Sequence, residues 1–220
     1  MNELENKIGS CFCANTDLGP LYNTVRGHEL LHQLVIQLNG LRPHLSMDPF
    51  ESLIKVIIRQ VVRATTAQRL IDNLVRKFGQ SEFLDGNTFY SFPTPDALAS
   101  AKKNELLNCR IGYKWKVIRD VSREVASGDL EFSELKRLAD DEVIDILTEF
   151  KWIGPWTSRV FLYDGLHRLN AYPEFDISIK RAASRLRLKR WMREQGETKI
   201  SVWGIMVSYL FGSLWTQALE

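Results

Sequence analysis

Leu147-Thr148-Glu149-Phe150-Lys151-Trp152-Ile153-Gly154-Pro155-Trp156-Thr157-Ser158 is the most informative run in this chain. A helix ends near Phe150, a tight turn centres on Ile153-Gly154, and Pro155 or Trp156 opens a new helix, proline being favoured at the first helical position. Gly154 allows a sharp turn and lets the backbone come close to another surface. The new helix presents unpaired N–H groups and the positive end of its dipole, an arrangement suited to an anion such as a phosphate. Thr157 offers a hydroxyl donor beside them. Taken alone, the same residues also describe an ordinary connection between two helices.

Working outward, the chain is punctuated as helices. Asp48-Pro49 reads as an N-cap with proline behind it, followed by Phe50, Leu53, Ile54, Ile57, Ile58, Val61 and Val62 at helical spacing. Thr65 or Thr66 is the expected cap of a second helix that carries Leu70, Leu74, Val75 and Phe78 and stops at Gly79. A polar, aromatic loop through Asp85-Gly86-Asn87 follows. Thr94-Pro95 opens a short helix, and Lys103 to Cys109 adds one or two turns. Gly112 precedes a helix from about Tyr113 to Ser127, ended by Gly128. Asp140 or Asp141 caps the helix that leads into the hairpin, Asp176 caps another, and a last helix runs from about Lys199 to Trp215. No alternating strand pattern of convincing length is visible, so the expected fold class is all-α.

The whole-chain numbers set bounds. At 220 residues the chain can bury a proper core as one large domain or two small lobes. With 45% hydrophobic and 25% charged residues the composition is that of a globular protein. Twenty-nine Lys and Arg against 27 Asp and Glu leave a net charge of +2, which neither requires nor excludes nucleic acid. Cys11, Cys13 and Cys109 form no disulfide framework. The charged N-terminus has no apolar signal region, and no run approaches the roughly 18 apolar residues of a membrane span. A protein of a reducing compartment, cytoplasmic or nucleoid (nuclear in a eukaryote), with no membrane partner, is the expectation.

Asn170-Ala171-Tyr172-Pro173-Glu174-Phe175-Asp176-Ile177 places a carboxylate at a helix start, 22 residues after Gly154. Aspartate is a favoured cap, and that position also keeps a carboxylate ionised. An ionised carboxylate near a phosphate-gripping hairpin suits cleavage of a glycosidic bond.

The hairpin, Trp156-Thr157 and the downstream Pro173-Glu174-Phe175-Asp176 together resemble the helix-hairpin-helix DNA glycosylases. The branch is that of 3-methyladenine DNA glycosylase II and its shorter fungal relatives. The resemblance runs from about Asp48 to Arg187. Asp48-Pro49-Phe50-Glu51-Ser52-Leu53-Ile54 with Ile57-Ile58-Arg59-Gln60 looks like the family's first core helix. Phe92-Pro93-Thr94-Pro95 and Gly112-Tyr113-Lys114 match two further segments. It implies a two-lobed helical fold with one helix-hairpin-helix motif at about 147–165 and a cleft between lobes, in the short form without an N-terminal β domain. Residues 46–220 would form the glycosylase domain, with 1–45 as a helical segment packing on the C-terminal lobe.

The resemblance also implies roles. Asp176 falls on the catalytic aspartate. Trp152, Ile153, Gly154 and Thr157 fall on the clamp for the DNA backbone, which in relatives also holds a monovalent cation. Trp156 falls where bifunctional members carry a Schiff-base lysine. Tryptophan has no amine, so a monofunctional enzyme using water is implied, with Trp156 stacking in the base pocket. Gln60 and Val61 fall near the side chain that wedges into the duplex. The implied partner is damaged double-stranded DNA, bound by a monomer, and the implied substrate an alkylated purine. No cysteine follows Cys109, so no iron–sulfur cluster is expected. The chain departs from the family where the hairpin usually reads Gly-Ile-Gly: Trp152 stands at a position that often needs positive φ.

Two other readings compete. One is a damaged-DNA binding protein without catalysis. The other rests on His28-Glu29-Leu30-Leu31-His32, an H-E-x-x-H pattern that on a helix could hold zinc as in a metallopeptidase. Catalytic zinc wants three protein ligands and the pattern supplies two, so no metal site is expected.

Overall fold

The structure, a computed structural model, describes residues 3–37, 39–169 and 171. Asp176 and the helix expected from about Lys199 lie outside the described residues. In chain order the elements are α1 (Glu3–Cys11), α2 (Gly19–Val25), α3 (Glu29–Gln37), α4 (Pro49–Arg59), α5 (Ala64–Phe78), β1 (Ser81–Leu84), β2 (Asn87–Tyr90), α6 (Pro95–Ser100), α7 (Lys103–Asn108), α8 (Lys114–Ser127), α9 (Phe132–Leu135), α10 (Asp140–Thr148) and α11 (Pro155–Asp164). The described chain is mostly helical. It forms two compact units: Asp48–Phe161, and the chain before Asp48 together with the chain after Phe161.

In the unit from Asp48, α4 starts as its sequence dictates. Asp48 Oδ1 accepts the Glu51 N–H at 2.8 Å and Pro49 occupies the first turn. Phe50, Leu53, Ile54, Ile57 and Ile58 are all buried, and a fully buried Ile or Leu is worth roughly 1.5–3 kcal/mol. α4 packs against α5 and α8, and α8 also packs against α6 and α7. Val117, Ile118 and Val121 of α8, Leu98 of α6, Leu106 of α7 and Val143 and Leu147 of α10 are likewise buried. α8 stops at Gly128, φ +86°.

Three local expectations are corrected. The loop through Asp85-Gly86-Asn87 is the tip of an antiparallel β-hairpin, with Ser81 paired to Tyr90 and Leu84 to Asn87. Asp85 and Gly86 both have positive φ (51° and 78°), as a tight hairpin turn requires. All eight strand residues are exposed, so neither face carries the alternation that betrays a half-buried strand. The N-cap of α5 is Arg63 rather than Thr65 or Thr66. α10 already includes Asp140; its N-cap is Ala139, whose N–H is taken by Glu142 Oε2 at 2.7 Å.

In the other unit, Cys13, Leu45 and Tyr163 form a small core with Leu169 against it. His167 ties this unit together. Its Nε2 lies 2.7 Å from the Ser46 carbonyl, an obligate acceptor, so Nε2 carries the proton and Nδ1 accepts from the Ser10 hydroxyl at 2.9 Å. Among the described residues no helix is long and apolar enough to cross a membrane.

Candidate nucleic-acid interface

The hairpin lies between α10 and α11. After α10 the chain tightens: the Phe150 N–H reaches Leu147 O at 3.3 Å and the Ile153 N–H reaches Phe150 O at 3.0 Å. Ile153 is the buried anchor of the turn. The Ser158 N–H bonds Gly154 O at 3.1 Å as α11 begins, which makes the residues before it the first turn of the new helix. The residue in the left-handed region is Trp152, φ +80°, not Gly154. The sequence reading assigned the sharp turn to the glycine. Gly154 serves the other purpose ascribed to it, since a Cβ built there meets nothing within 4 Å and that side of the backbone stays open.

Trp152 is held in this costly conformation from inside. Its carbonyl accepts a hydrogen bond from Gln60 Nε2 at 2.9 Å, and the same nitrogen donates to Thr157 Oγ1 at 2.9 Å. Gln60 and Thr157 are both buried. The Thr157 hydroxyl therefore faces the protein interior rather than an incoming phosphate, which corrects the outward donor role expected of it. One amide nitrogen thus ties the residue after α4 to both sides of the hairpin.

The next residue, Val61, points the other way. It is 96% exposed and sits at φ +57°, a region that β-branched residues almost never enter. The turn beneath it is gripped by Lys114. The Lys114 side chain is buried, and its Nζ donates to Ile58 O at 2.7 Å and Gln60 O at 2.6 Å. These are orphan carbonyls at the C-terminus of α4, where a cation is favoured. Burial pushes the Lys114 ammonium below the ordinary lysine value. Next to it, the Tyr113 ring lies 5.4 Å from the Trp152 ring, and Lys151 Nζ stands 5.1 Å from that ring's centre. Three turns, at 60–63, 112–114 and 150–154, are thereby fastened to one another within one unit. Arg59 and Arg63 are exposed on either side of the Val61 turn.

Sequence reasoning gave no role to Lys114 and Tyr113. The signal for Lys114 was present, because Lys114, Val117, Ile118, Val121 and Ser122 fall on one helical stripe and all are buried. A lysine on an apolar stripe is a buried lysine in need of acceptors. Trp156 is half-buried in the first turn of α11. Asp176 lies outside the described residues. His28 lies just before α3 and His32 within it, and among the described residues no three His, Cys, Asp or Glu side chains gather to hold a metal ion.

The model of one protein family, described as HhH-GPD superfamily base excision DNA repair protein, matches residues 54–205. The match takes in Gln60, Val61, Lys114, the whole hairpin and Asp176. This chain belongs to that superfamily. Among its relatives, a probable N-glycosylase/DNA lyase of Methanothermobacter thermautotrophicus is 26% identical over 197 residues, which cover 81% of this chain and 62% of the relative. The putative DNA-3-methyladenine glycosylase YfjP of Bacillus subtilis is 31% identical over 142 residues, 64% of this chain and 48% of the relative. The chain thus spans about half to three-fifths of the length of these two relatives. Among solved structures, the 3-methyladenine DNA glycosylase from Archaeoglobus fulgidus superposes with a TM-score of 0.82 at 27% identity, over 99% of this chain and 75% of that one.

Proposed function

We propose that this HhH-GPD protein is a monofunctional DNA glycosylase that removes alkylated purines from duplex DNA in base excision repair. The observation that carries the reading is the linkage made by Gln60. It joins a backbone hairpin suited to a phosphate to an exposed, strained side chain suited to a gap in the base stack. Strain of this kind persists where the surroundings enforce it, commonly at functional sites.

In this account the hairpin N–H groups hold the strand, and Val61 enters the duplex as the damaged nucleotide leaves it. Unstacking costs a few kcal/mol, and less for a damaged base. An apolar wedge recovers part of that cost by filling the space. The extruded sugar comes beside Asp176. Breaking the N-glycosidic bond develops oxocarbenium-like charge on the sugar, which a fixed carboxylate stabilises while orienting water. An alkylated purine already carries positive charge and leaves as a neutral base, so no general acid is required. Trp156 stacks on the cationic base through its electron-rich face. It has no amine to form a Schiff base, so the product is an abasic site in an intact strand. A monovalent cation at the hairpin would draw on backbone carbonyls there. Those of Phe150 and Trp152 each accept one hydrogen bond and keep a second lone pair, whereas Gly154 O accepts from both the N–H and the hydroxyl of Ser158.

The test is incubation with duplex DNA carrying one 3-methyladenine or 7-methylguanine, followed by separate analysis with and without alkali. Free base with strands that break only after alkali supports the reading. Strand breaks without alkali, with a borohydride-trapped protein–DNA adduct, would replace it by a lyase. Tight binding without release would leave a damage-binding protein.

A further inference from the structure

Trp152 is 52% exposed and sits at φ +80°, with its carbonyl fixed by the buried Gln60 and its ring flanked by Tyr113 and the Lys151 ammonium. A large ring left half exposed, held in a conformation glycine would adopt freely, asks for an explanation outside the fold. Tyr113 is 51% exposed, so the pair presents two accessible ring faces. Their planes are tilted by 55°, which leaves an open angle between them rather than a closed stack. Lys151 supplies a positive charge over the indole itself, its Nζ 5.1 Å from the ring centre.

We propose that Trp152, Tyr113 and Lys151 form a platform for an unpaired nucleotide of the strand the hairpin holds. The base stacks on one ring of the pair with the other ring at its edge, and its phosphate lies toward the Lys151 ammonium. This rests on the functional reading above and deepens it. The platform substitutes an aromatic contact for the close backbone approach that glycine would allow. Every base has a π-face, so such stacking is tolerant of sequence. The stacking itself adds affinity without a phosphate contact, so the salt dependence is carried by Lys151 and the hairpin rather than by the two rings.

The experiment measures binding of the full chain to a duplex with a tetrahydrofuran abasic-site analogue, by fluorescence anisotropy across a salt series, for wild type, Trp152→Phe, Trp152→Gly and Tyr113→Ser. Thermal melts run alongside. The platform requires Trp152→Phe to bind within about twofold of wild type, because a ring is retained. Trp152→Gly should bind roughly five- to fiftyfold more weakly with an unchanged salt slope, while the melts still show a cooperative fold, relief of the backbone strain offsetting part of the lost ring packing. Tyr113→Ser should fall between them. Trp152→Gly binding as tightly as wild type would overturn the proposal, as would Trp152→Phe failing as badly as the glycine variant. A loss confined to the salt slope would overturn it too, by making the contact purely electrostatic. Base release by wild type is scored in parallel. Its absence, with the binding pattern intact, would sink the glycosylase reading and leave the platform standing.

Discussion

Gln60→Ala is the perturbation whose cost the structure allows to be worked out. The Gln60 side-chain nitrogen makes two hydrogen bonds at 2.9 Å, to Trp152 O and to Thr157 Oγ1. Lost hydrogen bonds cost about 0.5–1.5 kcal/mol each, and a buried group left unpaired about 1–3 kcal/mol. The Trp152 carbonyl is close to solvent on an exposed residue, so water takes over part of its bond. The Thr157 hydroxyl is only 2% exposed and has no such recourse. Deleting the methylene next to the amide adds roughly 0.8 kcal/mol per buried CH2. The sum is a destabilisation of about 2–4 kcal/mol, read from urea unfolding at constant slope. Gln60→Glu at pH 7 sets a carboxylate against the Trp152 carbonyl, an obligate acceptor, and should regain part of that loss toward pH 5 as protonation restores one donor. Duplex affinity should fall in step, because Trp152 is no longer held at φ +80°. A loss below about 0.5 kcal/mol with unchanged duplex binding would refute the linkage between the Val61 turn and the hairpin.

Val61→Gly removes almost no packing, since Val61 is 96% exposed, and it relieves a φ of +57°. Left-handed backbone costs an L-residue roughly 1–2 kcal/mol, against about 0.5–1 kcal/mol of added chain entropy for glycine. Melting should therefore show equal or slightly higher stability, while base extrusion, followed by 2-aminopurine fluorescence beside the lesion, drops at least tenfold; loss of stability with normal extrusion would deny Val61 a wedge role. Lys114 gives a pH signature. Its folded value lies below the ordinary 10.5 because of burial, so between the two values the unfolded chain binds a proton that the folded one does not. Wild-type stability must therefore rise with pH through that window relative to Lys114→Met, as urea titrations at stepped alkaline pH will show; a flat difference would mean that burial does not depress this lysine. The three thiols, Cys11, Cys13 and Cys109, are all buried, and burial pushes each upward. A disulfide-exchange reagent should find none of them quickly in the native protein and all three in denaturant; a fast native thiol would place one of them at the surface.

Much of the helical framework was legible because local rules and burial agreed. Asp48-Pro49 capped α4, and the apolar spacing behind it named Phe50, Leu53, Ile54, Ile57 and Ile58, which are buried, but ran on to Val61 and Val62, which lie past the end of α4 at Arg59, with Val61 exposed. The β-hairpin was not legible, because an all-exposed strand pair has no period for burial to imprint. At α5 the two threonines looked like caps, yet the chain re-enters helix at Ala64, straight after the Val61 turn. At the hairpin, the family resemblance marked the position of Trp152 as one that often needs positive φ, and Trp152 does sit there at φ +80°. What the local sequence hides is the support beneath it, a hydrogen bond to the Trp152 carbonyl from Gln60, 92 residues away. For Lys114 the apolar stripe announced the burial but not the acceptors, which are carbonyls at the end of another helix.

The most direct measurement is the single-turnover rate of base release from an alkylated duplex by wild type and by Asp176→Asn, with duplex affinity measured on the same preparations. Asparagine keeps the shape of the side chain and loses its charge, so the account predicts release by wild type, a fall of at least a thousandfold, about 4 kcal/mol, in the variant, and duplex affinity within a few fold of wild type. Equal release by both proteins would take the chemistry away from Asp176, and release by neither would contradict the claim that this chain is a glycosylase.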